Sequence, residues 1–450
     1  MSREVLVTGF GTVGAYGYAC ESLAAALELA APVGAREVDR SAGRHRARGA
    51  RRALLAPLSG LTAWLPPLEA RRMSLPSRFS VAAARMAWCR AGLPGCRPAA
   101  GREGLPPAAP VRDARADPRH PAEQTAEETA VVMATAFGPC SFAEALLRQI
   151  LGEGPESASP YLFTESVANA AAAQIAIACR ARGPSITICQ REAGALQAVG
   201  CGAAEVASGR VVRALVGTVD ELPPLHHALL DRFGALARPR AEPSGAAGPP
   251  GGEEAARPFD RRRNGILAAE GATVLVLEEA EAARRRGARP LCRVLAWGSA
   301  FDPSAPPAGW GRGHAVLSRA LLGMLARAGL LDWEGAPAAR IDRIVSGASG
   351  SRSGDRLEAH TLRTAWNDRP LPPVLAPKGA VGEYGGGFLG AAVLAAAGAP
   401  FGPTCGFAEP DPELGVVPHD GSALAPPAAV LVSSLAAGGA ASWLVLGAAG

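Results

Sequence analysis

Gly183-Pro184-Ser185-Ile186-Thr187-Ile188-Cys189-Gln190-Arg191-Glu192-Ala193-Gly194-Ala195-Leu196-Gln197-Ala198-Val199-Gly200 is the stretch from which the fold is read. Ser185–Cys189 alternates and is rich in β-branched side chains, which predicts a short strand, and the small helix formers of Ala193–Ser208 predict a helix. Gln190–Glu192 is then a tight strand-to-helix turn with Glu192 at its apex. Such a turn presents one side chain to a pocket. The first N–H groups of the helix are free there and its dipole is positive, which suits a nucleophile that must ionise and an oxyanion that must be held.

This segment resembles the active-site turn of β-ketoacyl synthases of the thiolase fold, Gly-Pro-x-x-x-x-Ser-Thr-Ala-Cys-x-Ser-Gly. Aligned without a gap, Ser-Thr-Ala-Cys falls on Cys189, Gln190, Arg191 and Glu192. The position that the resemblance assigns to the nucleophilic cysteine is therefore a glutamate. Cys189 stands three residues early, on the strand, where a thiol is expected to be buried packing.

Further segments carry the same resemblance. Val5–Thr8 reads as a strand leading into Gly9 and Gly11, Arg78-Phe79 as the start of a family helix, and Asp220-Glu221-Leu222, Arg257-Pro258-Phe259-Asp260 and Ala269-Glu270-Gly271-Ala272 as family elements. The resemblance implies an α/β thiolase fold: two fused similar halves, 1–255 and 256–450, in a five-layered α-β-α-β-α architecture. Ser166–Ala176, rich in alanine, is similar to the family helix at the subunit interface and substrate pocket, which implies interface positions at Asn169, Ala171 and Gln174.

Departures gather in the C-terminal half. The family's Asn-Ala-His-Gly-Thr-Gly-Thr-x-x-Gly-Asp aligns with Val345–Asp355, where the histidine is Gly347, and Lys-x-x-x-Gly-His aligns with Lys378–Glu383, where the histidine is Glu383. A supporting carboxylate nine residues later is Ala392, and the gating Gly-Phe-Gly-Gly loop is Ala436-Ala437-Gly438-Gly439. The seven histidines all lie elsewhere. Decarboxylative condensation needs a thiolate to accept the acyl group and donors to hold the enolate and oxyanion. An ionised glutamate is an acceptor only. The catalytic set is thus expected to be degenerate at Glu192, Gly347, Glu383 and Lys378. Lys378 is the only lysine in the sequence, and it is expected to pair with Glu383, Glu192 or both, because two buried acids need a cation or a proton between them.

Composition fits two α/β halves: 450 residues, 48% hydrophobic, with net charge +5. The basic balance suits an acidic partner such as an acyl carrier protein, or simply records an arginine-rich composition. Pro94–Pro121 is arginine-rich without interleaved aromatics, so a nucleic-acid surface is not expected. Nine cysteines without a C-x-x-C pair indicate neither a zinc site nor a disulfide framework, and Gly9-x-Gly11 lacks the rest of a dinucleotide fingerprint. Neither metal nor cofactor is expected. Ser2–Glu4 runs straight into a strand, so a cytoplasmic protein is expected. Gly421–Gly450 is uncharged, but Pro426-Pro427 and Gly438-Gly439 divide it into strand-length pieces, which predicts buried strands rather than a membrane span. Ala31–Leu68 reads as surface loop and Arg238–Glu254 as a linker.

The resemblance therefore points to a non-condensing homologue, similar to the chain-length-factor subunits that pair with an active ketosynthase in polyketide or fatty-acid-type biosynthesis. Those subunits commonly have glutamine where this chain has Glu192. Two alternatives stand beside it: an acyl-carrier-dependent hydrolase or decarboxylase using Glu192 and Glu383, and a homodimeric scaffold. The partner is accordingly a ketosynthase subunit or a second copy of the chain.

Overall fold

Val5–Val13 forms a single strand, β1, that continues through Gly9 and Gly11 with one register shift against its neighbour between Val7 and Gly9. Helix Leu75–Arg90 (α2) lies across it so closely that a Cβ at Gly11 would sit 2.2 Å from the Ala83 carbonyl oxygen, and one at Gly9 2.4 Å from that of Ala87. The two glycines serve helix–strand approach rather than a phosphate. The structure is a computed structural model and describes residues 3–40, 49–94, 129–239 and 254–449. Most of the arginine-rich and linker segments, Pro94–Pro121 and Arg238–Glu254, lies outside the described residues.

The remaining strands of the main sheet are β4 (Thr129–Ala134), β5 (Ser185–Ile188), β6 (Arg213–Asp220), β7 (Gly271–Glu279), β8 (Cys292–Phe301), β9 (Ile341–Ser346), β10 (Val374–Leu375), β11 (Ala429–Leu435) and β12 (Ala440–Ala448). Their order is β10-β9-β11-β12-β8-β1-β7-β6-β4-β5. In one half β5, β4 and β6 are parallel, β7 is antiparallel to β6, and β1 is antiparallel to β7. In the other half β10, β9 and β11 are parallel, β12 turns back, and β8 turns again. One five-strand topology thus occurs twice. The units meet edge to edge where Val5–Val7 pairs with Cys292–Val294. β7 lies beyond the 255/256 division read from the sequence, yet it completes the N-terminal unit; by strand order the repeat turns over between β7 and β8.

Helices make the layers. α2 and α5 (Ala170–Cys179) pack on the outer face of the N-terminal sheet, with Phe79, Ala83, Ile175, Val131 and Val276 in one core. Helices α8 (His314–Arg327) and α9 (Arg352–Ala365) cover the outer face of the C-terminal sheet around Leu321, Leu362 and Trp443. Between the sheets lie α1 (Cys20–Glu28), α6 (Gly194–Ala207) and α10 (Leu389–Ala396), whose Leu23, Val199 and Leu389 share a core with Leu277 from one sheet and Leu444 from the other. This is the expected α-β-α-β-α order, and Gly421–Gly450 supplies buried strands as expected.

Ala31–Leu68 is not merely surface loop. It carries the small antiparallel pair β2 (Ala35–Glu37) and β3 (Arg52–Leu54), and Leu54 and Leu65 are fully buried. Leu54 donates its N–H to Ala268 and accepts from Glu270, so this irregular arm is tied to the backbone just ahead of β7. Sequence periodicity misses such a segment because its order comes from distant partners.

Candidate active site

β5 leads, through a single 3-10 turn at Arg191–Ala193, into α6. Arg191 adopts φ 47°, a left-handed conformation unfavourable for a residue with a Cβ, so the turn is held by its surroundings. Two contacts hold it from the β11–β12 side. Ser434 Oγ donates to the Glu192 carbonyl oxygen at 2.6 Å, and the Arg191 guanidinium reaches the Ala437 carbonyl at 3.5 Å. The side chain of Glu192 is half-buried; its Oε2 is sealed from solvent and has no hydrogen-bond partner among the described residues.

Lys378 is 1% exposed and forms an ion pair with Glu383, five residues on, while its ammonium stands 4.7 Å from the Phe388 ring centroid. Backbone bonds fix Glu383: its N–H donates to Leu267 and its carbonyl accepts from Ala269. The family's supporting acid position, Ala392, is buried in α10 and carries no charge, which leaves Glu383 as the lysine's partner. Of the two expected partners, the lysine takes Glu383. Glu192 then feels burial first and the Glu383 charge second, and its carboxyl is lifted to about 7 although Lys378 and Arg191 oppose the shift.

Two further acids complete the centre. Glu358, on the inner face of α9, accepts the Gly347 N–H at 3.2 Å; burial, reinforced by Asp355, lifts it to about 7, against the nearby hydroxyls of Ser433 and Ser346 and the charge of Lys378. Asp220, at the end of β6, accepts from Thr135 Oγ1 at 2.7 Å and from the N–H groups of Ala136 and Phe137 at 3.0 Å; burial lifts it to about 6, with Glu383 adding to the effect. Gly347 itself is confined. A Cβ there would lie 2.9 Å from the Ser433 carbonyl oxygen. Glu358 stands three residues after Asp355 on one helix, a spacing that places both on one face, and this was the signal available for it. Ser434 had none, since its role depends on a contact 242 residues away.

The chemistry of this constellation is that of proton-holding carboxyls around one committed cation. It offers no thiolate at Glu192 and no donor side chain at Gly347. Cys189 is exposed rather than buried packing, because β5 is the last strand of the sheet, and its thiol is raised above its ordinary range by partial burial and by Asp220. Among the described residues no group of three or more His, Cys, Asp or Glu side chains is placed to hold a metal ion.

Residues 110–283 match the family model described as the β-ketoacyl synthase N-terminal domain. The chain is 30% identical over 271 residues to polyketide β-ketoacyl synthase 1 of Streptomyces halstedii, an alignment covering 58% of this chain and 60% of that one. It is 30% identical over 292 residues to polyketide β-ketoacyl synthase 2 of Streptomyces coelicolor, covering 64% and 63%. These alignments span about three fifths of the length of the curated relatives. Among solved structures, the ishigamide ketosynthase/chain length factor superposes with a TM-score of 0.80 at 29% identity over 100% of both chains. The chain is thus similar to the β-ketoacyl synthases and shares their thiolase fold. A β-ketoacyl synthase of Burkholderia phymatum, at 22% identity and TM-score 0.80 over 100% of both chains, shows the same thiolase fold throughout.

Within this β-ketoacyl synthase fold the segment expected at the subunit interface is α5. Ala171 is 5% exposed and faces inward onto α2; Gln174 is half-buried and donates to Glu165; Asn169 is exposed. The inward turn of Ala171 follows from the closeness of α2, and it moves the accessible apolar position on this helix to Ile177, which is 71% exposed. Among the described residues no single helix is long and apolar enough to cross a membrane; α4 (Pro160–Ser166) and α5 reach that length only as a pair bent by 92°.

Proposed function

We propose that this protein is a non-condensing β-ketoacyl synthase homologue that acts, like a chain-length factor, as partner to an active ketosynthase in polyketide or fatty-acid-type biosynthesis. The observation that carries this reading is the closed Lys378–Glu383 ion pair beside Glu192, which puts carboxyl groups where condensation needs a thiolate and a histidine donor. The pairing role draws support from the sheet's two ends. β10 is buried, with Val374 accepting an N–H from His419, whereas among the described residues no strand pairs with the outer side of β5. The helices of that end expose Leu151 of α3 (Cys140–Glu153), Phe163 and Ile177. An edge strand beside exposed apolar side chains suits docking of a like-folded subunit. One structural neighbour is a ketosynthase/chain length factor and another is a type II polyketide acyl carrier protein in complex with its ketosynthase, so a ketosynthase subunit and an acyl carrier protein are the partners proposed here.

Co-expression with a ketosynthase encoded beside it, followed by size-exclusion chromatography and native mass spectrometry, tests the reading: a one-to-one heterodimer is expected. A stable homodimer that ignores the ketosynthase would favour a scaffold instead. A stoichiometric acyl adduct on the isolated chain after incubation with an acyl thioester would overturn the non-condensing assignment.

A second reading has its own observation. Glu192, titrating at about 7 with an Oε2 unpartnered among the described residues, sits in the range of a general base, and hydrolysis or decarboxylation of a carrier-bound acyl group is the chemistry it suits. Glu383 would enter only by holding its charge beside Glu192, because Lys378 already occupies it. Release of carbon dioxide or free acid by the wild type, lost in Glu192→Gln, would select this reading.

A further inference from the structure

Helix α9 has two chemically different faces. Asp355 and Glu358 turn inward, while Arg352, Arg356 and His360, spaced i, i+4 and i+8, line a cavity of about 930 Å3 on the outer side of the C-terminal unit. The facing wall is Trp310, Arg312 and His314, where α8 begins. None of Glu192, Gly347, Lys378 or Glu383 lines it, so this cavity is separate from the buried acids.

Its charge is one-sided. Five arginines line it against two carboxylates, Asp411 and Glu413. Arg263 is paired with Asp411 at 2.6 Å, and Arg261 with Glu409 at 3.1 Å. Arg312, Arg352 and Arg356 have no carboxylate partner among the described residues. The imidazole of His360 responds to that field: burial first, then the positive charges of His314, Arg356 and Arg363, hold it below its ordinary range. The first residues of both α8 and α9 also lie on the cavity; Asp302 accepts the Gly313 N–H ahead of α8 and Ser351 Oγ caps the Gly354 N–H of α9, so the helix ends add only in part to the potential that the arginines set.

Guanidinium forks match phosphate oxygens two at a time. The volume falls in the range of sites for ligands well beyond a lone phosphate. Trp310 adds a flat apolar wall whose orientation is fixed, because its ring packs on Gly354 so tightly that a Cβ there would be 2.7 Å away. We propose that this cavity binds a nucleotide-type pyrophosphate ester, with Arg312, Arg352 and Arg356 on the phosphates and Trp310 against the planar base.

Calorimetric titration of the full-length protein with ADP, pyrophosphate and inorganic sulfate at low ionic strength tests this. Saturable binding of ADP and pyrophosphate is expected, with sulfate weaker. Arg352→Ala with Arg356→Ala should weaken both by roughly tenfold or more, the size expected for loss of charge-assisted hydrogen bonds. Both arginines are exposed, so circular dichroism should show the variant folded. Trp310→Phe should weaken ADP while sparing pyrophosphate. Absence of saturable binding, equal affinity for sulfate, or affinities unchanged in the double variant would each overturn the proposal; ADP binding untouched by Trp310→Phe would overturn its nucleotide character.

Discussion

The single lysine stands among three carboxyl groups, Glu383, Glu192 and Glu358, and its charge is committed to the one that shares its loop. Removing it by Lys378→Met leaves Glu383 buried without compensation, which should cost on the order of 3–5 kcal/mol. Glu383→Gln in the same background should recover part of that loss, as read by chemical denaturation. Glu192 has the complementary behaviour. Its native carboxyl keeps a proton up to about 7, whereas the unfolded chain releases it near the ordinary 4.5, so between those values the native state binds more protons and stability falls as pH rises. Glu192→Gln cannot ionise. The melting-temperature difference between variant and wild type should be small below pH 4.5 and should grow in the variant's favour through pH 7. The buried His226 and His227, held at about 4 mainly by burial, act with the opposite sign but equally in both proteins, and cancel. A difference independent of pH would sink the assignment of a raised carboxyl. These substitutions were legible in the sequence because they fall in ungapped motifs. The choice of Glu383 over Glu192 was not, since it depends on which carboxylate the loop 378–383 folds back upon.

At the level of elements, the turn at 190–192 and the helix after it were readable because alternation gives way to small helix formers at one point. Which face of α5 points out was not readable, because a run of alanines has no apolar stripe and only the position of α2 decides. Ala171→Arg therefore belongs to folding: it forces a guanidinium into the α2–α5 core, and loss of the folded signal in circular dichroism is expected. Ile177→Asp belongs to association. It should leave the fold intact and shift the assembly toward monomer in light scattering, while an unchanged assembly would remove α5 from the interface. The loop after β9 carries a parallel lesson. Restoring a histidine by Gly347→His meets the Ser433 carbonyl at the Cβ itself, so the variant should lose about 1–3 kcal/mol as an overpacked site does. Condensing activity should stay absent even when Glu192→Cys is combined with it, because Glu383 remains closed on Lys378.

For the whole molecule, the repeated five-strand topology was implied by family motifs rather than by periodicity, and the turnover between β7 and β8 escaped the sequence because no composition shift marks it. Besides an outer core of its own, each unit shares a central one with the other. Val5, Leu275 and Leu277 from one sheet and Val345, Val430 and Leu444 from the other close on the same central helices, α6 and α10. Either unit alone would expose that apolar face to water. Chains of this size often unfold in stages, but a shared central layer makes each half depend on the other. Five of the seven tryptophans, Trp297, Trp310, Trp333, Trp366 and Trp443, lie in the C-terminal unit, so their fluorescence reports mainly on it, whereas far-ultraviolet circular dichroism reports on both. The two signals should trace one coincident transition in guanidinium. A fragment ending at Glu279 should fail to give a soluble folded unit. Separate midpoints, or a soluble fragment with cooperative unfolding of its own, would show that the halves are independent and that the central helices do not couple them.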